Sequence, residues 1–414
     1  MNIRKVDISI INDIAIVKEL YDLLESKEGT ELKKSVEHSI NVAREIAHKE
    51  LDSHLFDLLY WPTSLDEYYA YLVWYAQWKP VQPNQTGTGW QEPDSGVIPE
   101  QQEVFDRLCH WYFLINQKTN TSIDNLQNDP KFSKWMRKYS STWGDYLNTT
   151  DSFNNEILKT FIDDPEFRVS ESLVDGKPNS PSGWLTWNQF FARELNPGTR
   201  PISCQGNNHY PTFPADCHYR ACYHIDEKGN IPEITVKGTH KYNNIQKLLD
   251  DETEKYAKEF FGGTFVHYFL GPYSYHRFHT PVSGLVEECR AVTGRTYLQV
   301  NIEDGQFNAP DDSENGYEFS QSRGIVIIDT AKSEDGDIGL VATLPIGMAH
   351  VSSVHMTHEV GTMAKKGDEF GYFLFGGSDI IMLFGPKQKA FDKIRTDSTV
   401  YNLVGELVVK SELN

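Results

Sequence analysis

The sequence contains few cysteines: five among 414 residues, at positions 109, 204, 217, 222 and 289. So small and odd a number excludes a disulfide framework and favours reduced thiols, as in the cytosol. We therefore expect a cytoplasmic protein.

Long apolar stretches are also missing. No uninterrupted apolar run approaches the ~18 residues that a membrane-spanning helix needs. The first residues, Met1 to Asp7, lack the apolar region of a secretory signal. We expect neither a membrane span nor export.

Basic residues are too few to balance the acidic ones. Lys and Arg together number 39 and Asp and Glu number 59, so the formal net charge is −20. This charge disfavours a nucleic-acid partner and tight docking on an anionic lipid surface.

The length is sufficient for two or three domains with a sizeable core.

Residues 1 to about 150 are predicted to be mostly helical, because apolar residues recur with helical spacing. The segment from Leu65 to Trp78 follows this pattern and is rich in aromatic residues, while 80–99 contains many Pro, Gly, Gln and Thr residues and is predicted to be a loop. An aromatic stripe of this kind favours a helical core. The alternative is a lid that lines an aromatic substrate pocket.

The second half of the chain is predicted to be rich in strands. One short helix beginning at Trp187 and ending at Asn196-Pro-Gly precedes it, and another lies near Asn244 to Leu249. Short β-branched runs separated by Gly and Pro predict strands at Ile231–Val236, Gly263–Leu270, Gly324–Asp329 and Gly339–Leu344. We expect an α+β fold with a helical N-terminal domain (1–160), a connecting arm (161–209) and a β-rich catalytic domain (210–414).

Near the C-terminus, two apolar runs meet at a glycine corner. Phe373 and Phe375 lead into Gly376-Gly377-Ser378, and Ile380 to Phe384 follows it. Glycines leave the backbone without Cβ atoms, so the serine hydroxyl can approach the carbonyl of the preceding glycine. By itself the corner is typical of a strand bulge.

Two further places carry residues suited to chemistry. Asp216 ends the turn Pro214-Ala-Asp, and His276 and His279 flank an arginine in Tyr275 to Gly284. A serine hydroxyl needs a base to become nucleophilic, and an imidazole oriented by a carboxylate is the usual base. Asp216, His279 and Ser378 also fit a hydrolase triad on an intact chain, and an inactive β-rich binding protein is a third interpretation.

The surrounding motifs resemble those of the phosphatidylserine decarboxylase family. The resemblance extends from about Trp187 to the end of the chain. The helical, aromatic-rich extension before residue 160, together with Ile346-Gly-Met348, resembles the soluble branch that includes the fungal L-tryptophan decarboxylases. The motifs, in order, are Phe190 to Ile202, Pro214 to Asp216, Lys237-Gly238 with Leu248-Leu249, Tyr275 to Gly284, and Phe375 to Ser378.

This resemblance implies a self-processing, pyruvoyl-dependent decarboxylase, which is a carboxy-lyase. His279, oriented by Asp216, deprotonates Ser378, whose Oγ attacks the Gly377 carbonyl. The chain is cut between 377 and 378, and Ser378 becomes a pyruvoyl cofactor that forms a Schiff base with the substrate amine. His276 is the candidate acid that returns a proton to the α-carbon, and the two histidines could exchange these roles.

The resemblance leaves the substrate open between phosphatidylserine and a free amino acid. Phosphatidylserine requires membrane contact, which the acidic charge and the lack of an apolar anchor disfavour. The aromatic N-terminal region favours L-tryptophan or a relative, and His355 is a candidate substrate-binding residue. The expected partners are therefore an amino acid and the chain's own cleaved C-terminal fragment, with no nucleic acid.

Two positions depart from the family pattern. Cys217 follows Asp216 where the family usually has glycine, and Asp379 follows Ser378 where a small hydroxyl residue is common. A carboxylate beside the scissile bond could slow or tune self-cleavage.

No metal site is expected. The spacing of Cys217, His218, Cys222 and His224 fits no standard zinc pattern, and an exposed strand is the better interpretation. A second group of histidines lies in a predicted strand, and one or two of its members could face the substrate pocket. These are His350, His355 and His358.

Overall fold

The computed structural model describes residues 8–82, 103–236, 240–309, 320–349, 353–375, 378–388 and 393–410. No helix among these residues is long and apolar enough to cross a membrane. The helices are α1 (Ala15–Glu25), α2 (Thr30–Glu50), α3 (Ser53–Leu58), α4 (Leu65–Tyr75), α5 (Glu103–Ile115), α6 (Pro130–Leu147), α7 (Asn155–Ile162), α8 (Trp187–Phe191) and α9 (Ile245–Leu248).

Most strands follow α8 in the chain. They are β1 (Leu173–Val174), β2 (Lys177–Pro178), β3 (Cys217–His224), β4 (Asn230–Val236), β5 (His240–Asn244), β6 (Thr264–Leu270), β7 (Arg277–His279), β8 (Gly284–Val292), β9 (Asn301–Glu303), β10 (Gln306–Asn308), β11 (Arg323–Asp329), β12 (Leu340–Gly347), β13 (Val354–Met356), β14 (Met363–Ala364), β15 (Glu369–Phe373), β16 (Ser378–Phe384) and β17 (Tyr401–Asn402).

Contacts divide the chain into two compact units. Unit 1 consists of Met1–Pro165, Trp184–Phe190 and Thr296–Pro310. Unit 2 consists of Glu166–Gly183, Phe191–Arg295 and Asp311–Asn414. The residues predicted to form a connecting arm are therefore shared between the two units.

Unit 1 is built around aromatic rings carried by its helices. Tyr75 stacks on Trp78 and Trp143, with ring centroids 5.3 and 5.8 Å away. Trp111 and Tyr139 are also fully buried beside this cluster. The predicted aromatic stripe is therefore core, where stacked rings contribute more than their buried area alone.

Unit 2 contains an eight-stranded antiparallel sheet with the order β14-β8-β11-β12-β16-β6-β3-β17. β16 is an inner strand: all seven of its residues pair with β12 on one side and with β6 on the other. One face of the sheet is covered by an apolar core that includes Ile381, Leu383 and residues of α9. A second, three-stranded sheet has the order β13-β15-β7.

The α+β fold is confirmed, and so are the four predicted strands and α9, which Asn244 caps through its side chain. One helix is shorter than expected, since α8 ends at Phe191 rather than at Asn196. The reason is that the Ala192 carbonyl accepts a bond from Arg277, while the Asn196 N–H donates to the Glu171 carbonyl instead of continuing the helix. Most of the predicted 80–99 loop, and the Lys237-Gly238 motif, lie outside the described residues.

Candidate active site

Ser378 is the first residue of β16, directly after the glycine corner. It pairs with Gly347 on β12 and Leu270 on β6, so its neighbour on β12 is a glycine without a side chain. The residue is fully buried, and its Oγ has no hydrogen-bond partner within the described part of the chain. Gly376 and the predicted cleavage residue Gly377 lie outside the described residues.

His276 lies beside Phe373, at the end of the strand that leads into the glycine corner. Its backbone carbonyl accepts the N–H of Phe373, the last residue of β15. Its ring stacks on Phe191 at 3.9 Å between centroids, and Phe191 meets Phe375 edge to face at 5.4 Å. Burial lowers the pKa of His276 well below its ordinary value, and the charge of Arg193 lowers it further, against a small opposing effect of the Ser274 backbone.

His279 is held at both ring nitrogens. Nδ1 lies 2.9 Å from the Gly367 carbonyl oxygen, and Nε2 lies 3.1 Å from the Tyr275 hydroxyl. Since a carbonyl can only accept, the proton resides on Nδ1, and Nε2 accepts from Tyr275. Burial lowers the pKa of His279, although the Gly367 carbonyl and the charge of Asp216 oppose this effect.

Asp216 is 1% exposed and anchored by a cation. Arg200 donates from Nε to Oδ1 at 3.0 Å and from Nη2 to Oδ2 at 2.5 Å, and the same guanidinium reaches Glu171 at 2.7 Å. The Val404 N–H adds a bond of 2.8 Å to Oδ1. Burial by itself would lower the pKa of Arg200, but the bonds and charges of Asp216 and Glu171 outweigh it and raise that pKa.

The structure brings Asp216 and His279 together without joining their side chains. The His279 backbone N–H donates to the carbonyl of Pro214 at 2.7 Å, which places the ring beside the Asp216 turn. No hydrogen bond links any two of Asp216, His279 and Ser378 within the described chain. Asp216 acts on His279 through its charge, and the ring is oriented by Gly367.

His355 is placed elsewhere on the three-stranded sheet. It is exposed on β13 and stacks on Tyr372 at 5.0 Å, and Tyr372 in turn pairs with Arg277. Strand alternation directs His276, the neighbour of Arg277, to the opposite face. His358 is also described and half-buried, whereas His350 lies outside the described residues.

The carboxylate of Asp379 faces away from Ser378. In β16 successive side chains point to opposite faces, so Asp379 lies on the face of Ile381 and Leu383. Its Oδ1 is 3.3 Å from Nε2 of His267 on β6, and both side chains are fully buried. Cys217, the other departure from the family pattern, is a buried first residue of β3.

Several residues of this site were quoted in motifs without being given a role. They are Phe191, Arg193, Arg200 and Tyr275, and their membership in the ordered motifs was the signal that could have selected them. Gly367 lies outside those motifs, and no sequence signal selected it. Some of their partners lie far along the chain, as in the Phe191–Phe375 ring contact, whose residues are 184 positions apart, and such pairs cannot be read from local spacing.

This fold and this site fit a class of enzyme that makes its catalytic group from one of its own serines. The model of the phosphatidylserine decarboxylase family matches residues 187–410, and the chain belongs to this family. It is 31% identical over 300 residues to decarboxylase iboD of Amanita muscaria, covering 66% of this chain and 83% of that protein. The match to a phosphatidylserine decarboxylase proenzyme of Fusobacterium nucleatum is 31% over 264 residues, covering 64% and 79%.

A third relative, phosphatidylserine decarboxylase proenzyme 2 of Oryza sativa, is 35% identical over 209 residues, which is 50% of this chain and 30% of that protein. The protein is therefore a carboxy-lyase of this family, and its cofactor is a pyruvoyl group derived from Ser378. The site fits this group: a fully buried serine with an unbonded Oγ begins an inner strand, next to a neighbour without a side chain.

Proposed function

We propose that this protein cleaves itself between Gly377 and Ser378 and then decarboxylates a free aromatic amino acid such as L-tryptophan in the cytoplasm. The observation that carries the proposal is the aromatic surrounding of His276 in unit 2, where Phe191 stacks on the imidazole and Phe375 meets Phe191. The aromatic residues of unit 1 no longer support this choice of substrate, because they pack on one another in that unit's core.

The proposed self-cleavage consumes one water and releases one ammonia. The Ser378 Oγ attacks the Gly377 carbonyl carbon, the C–N bond breaks, and an ester links the two halves. Loss of the Ser378 α-proton then expels the Gly377 carboxylate. The remaining unsaturated amine takes up water and releases ammonia, which leaves a ketone at position 378.

His279 is the proposed base for the first step. Its proton is on Nδ1, so Nε2 has the lone pair that can accept the Ser378 proton. Tyr275 occupies that lone pair in this structure and has to release it. The negative charge of Asp216, held by Arg200, stabilises the imidazolium that forms.

The pyruvoyl ketone supplies an electrophile for the substrate amine and an electron sink for the pair released with carbon dioxide. Arg193 places a positive charge beside His276, which suits the α-carboxylate of an amino acid. His276 is the proposed proton donor to the α-carbon. Because burial keeps its imidazole neutral, it would donate the proton of a ring nitrogen and regain it from solvent.

Mass measurement of the purified chain tests the first half of the proposal. We expect a small fragment that begins at position 378, is blocked to Edman degradation and gains the mass of an added amine after borohydride reduction. Ser378→Ala should remain intact, while Ser182→Ala, a change in an exposed turn, should cleave like the wild type. An intact wild-type chain that hydrolyses esters would favour the Asp-His-Ser hydrolase instead.

Phosphatidylserine is the second candidate substrate, favoured by the names of the bacterial and plant relatives. Turnover of free L-tryptophan and of phosphatidylserine liposomes by the same cleaved preparation separates the two candidates. Carbon dioxide release from liposomes alone would overturn the amino-acid proposal and leave the self-cleavage proposal standing.

A further inference from the structure

The His267–Asp379 pair lies where the two fragments of the cleaved chain meet. His267 is on β6, in the large fragment, and Asp379 is the second residue of the small fragment. In the sheet, His267 is directly opposite Ile381, so it reaches Asp379 diagonally, two residues along the same face. Both side chains are 0% exposed, and 3.3 Å separates Nε2 from Oδ1.

Cleavage changes what holds position 378 in the sheet. Before cleavage the residue is held by peptide bonds on both sides and can use its own N–H in the antiparallel ladder. The ketone that replaces Ser378 has no N–H and no covalent bond to residue 377. Asp379 is therefore the first residue of the small fragment with a complete backbone and a side chain able to hold it.

The surroundings make the pair well suited to hold a strand end. Asp379 pairs across the ladder with Ile346 on β12, and its face continues into the apolar core of unit 2. A buried imidazole–carboxylate pair in apolar surroundings resists separation, because leaving either member without the other is costly. A strand end fixed in this way cannot shift without separating the two groups.

We propose that the His267–Asp379 pair is a positioning device that joins the two fragments and fixes the reactive group at position 378 after self-cleavage. This inference rests on the proposed self-cleavage. It also gives a role to the one carboxylate that departs from the family pattern next to the cleaved bond. The pair lies on the opposite face from Ser378, so it acts through the backbone of residue 379 and does not touch the reacting atoms.

The test compares Asp379→Asn and His267→Gln with the wild type in three measurements. Self-cleavage of the precursor should be unchanged, because both flanking peptide bonds still hold Ser378 at that stage. In the cleaved enzyme, kcat should fall about 10- to 100-fold with KM unchanged, as expected when a reacting group is displaced but binding is kept. Hydrogen exchange at the amides of residues 379–381 should be faster than in the cleaved wild type.

Two further variants separate positioning from general loss of stability. The exchange variant His267→Asp with Asp379→His keeps both groups and should recover much of the lost kcat, and it carries the test where a single variant fails to fold. Ile381→Val shortens an apolar side chain on the same face, opposite His267, and should leave kcat and the exchange of residues 379–381 as in the wild type.

The outcomes separate this inference from the proposed function. A wild-type chain that stays intact overturns both. A wild-type chain that cleaves, with pair variants that match its kcat or slow self-cleavage as much as turnover, overturns the positioning role alone. Failure of the exchange variant to recover any activity, when both single variants are impaired, also contradicts it.

Discussion

Nδ1 of His279 lies 2.9 Å from the carbonyl oxygen of Gly367, 88 residues further along the chain. In a Ser-His-Asp triad a carboxylate occupies this position and fixes the tautomer. Here a backbone carbonyl does so, and the carboxylate of Asp216 contributes its charge from a site anchored by Arg200. The orientation of His279 therefore depends on the backbone at Gly367.

Gly367→Ala should weaken both the fold and self-cleavage. Gly367 has a φ of +89°, and an added Cβ would lie 2.6 Å from the Ile202 side chain, so either that side chain or the Gly367 backbone with its carbonyl has to shift. We expect a loss of about 1–3 kcal/mol in urea unfolding and slower appearance of the small fragment. Gly183→Ala is the matched control, because its φ is +73° but nothing lies within 4 Å of the new Cβ. Equal cleavage rates for the two variants would contradict the role of Gly367.

Tyr275→Phe should speed self-cleavage. The Tyr275 hydroxyl donates to Nε2 of His279, and removing one such bond of about 1 kcal/mol frees the lone pair that accepts the serine proton. A roughly fivefold faster time course of fragment appearance is expected on that basis. Tyr273→Phe removes a nearby hydroxyl that contacts His218 instead and should have no effect. Slower self-cleavage of the Tyr275→Phe precursor than of the wild type would mean that the hydroxyl relays the proton.

Self-cleavage should keep its full rate at neutral pH and slow only below pH 6.5. Burial lowers the pKa of His279 from 6.5, so the neutral base persists to a lower pH than in a free imidazole. The same shift makes the stability contributed by the neutral ring complete above pH 6.5 and lost as pH falls toward the lowered pKa. Time courses between acidic and mildly alkaline pH measure this, and a rate that falls already above pH 6.5 would contradict it.

The variants His279→Asn and His276→Asn show which histidine acts in self-cleavage and which acts in decarboxylation. We expect His279→Asn to block formation of the small fragment, because the base is lost. His276→Asn should cleave and then fail to release carbon dioxide. The reverse pattern would exchange their roles.

Arg200→Met should be strongly destabilising. It leaves the carboxylate of Asp216, which is 1% exposed, without its cation, and removing one partner of a buried pair costs about 3–5 kcal/mol. The free energy of unfolding of Arg200→Lys should lie between those of the wild type and Arg200→Met, because lysine keeps the charge but not the forked geometry. Urea unfolding is the measurement. Lys18→Met breaks an exposed pair with Asp22 and should cost at most about 1 kcal/mol; a similar cost for Arg200→Met would contradict the buried network.

Much of the fold could be predicted from local patterns. Short β-branched runs separated by Gly and Pro identified β6, β11 and β12, and helical spacing identified the aromatic helices of unit 1. The predicted end of α8 was wrong. Arg277 and Glu171, far along the chain, form hydrogen bonds with the backbone groups that would have continued the helix. Local propensity does not contain such competing partners.

The site was predicted as a set of residues and stays a prediction as a set of roles. Ordered motifs selected Asp216, His276, His279 and Ser378, and the structure places all four in unit 2, three of them buried and His279 partly buried. His355 was selected by residue type alone and lies exposed on the other face of its sheet from His276. Motif order carries information about a shared fold, whereas a single residue type does not.

The amino-acid sequence by itself determined the α+β fold, the family and the serine that becomes the cofactor, because these follow from periodicity and from motifs read along the chain. Only the tertiary structure decided that Gly367 orients His279, that Arg200 holds Asp216, and that Ser378 and Asp379 face opposite sides of one sheet. The physical reason is that hydrogen bonds and burial are made between residues distant in the chain. Which neighbour a side chain meets is settled only when the strands pair.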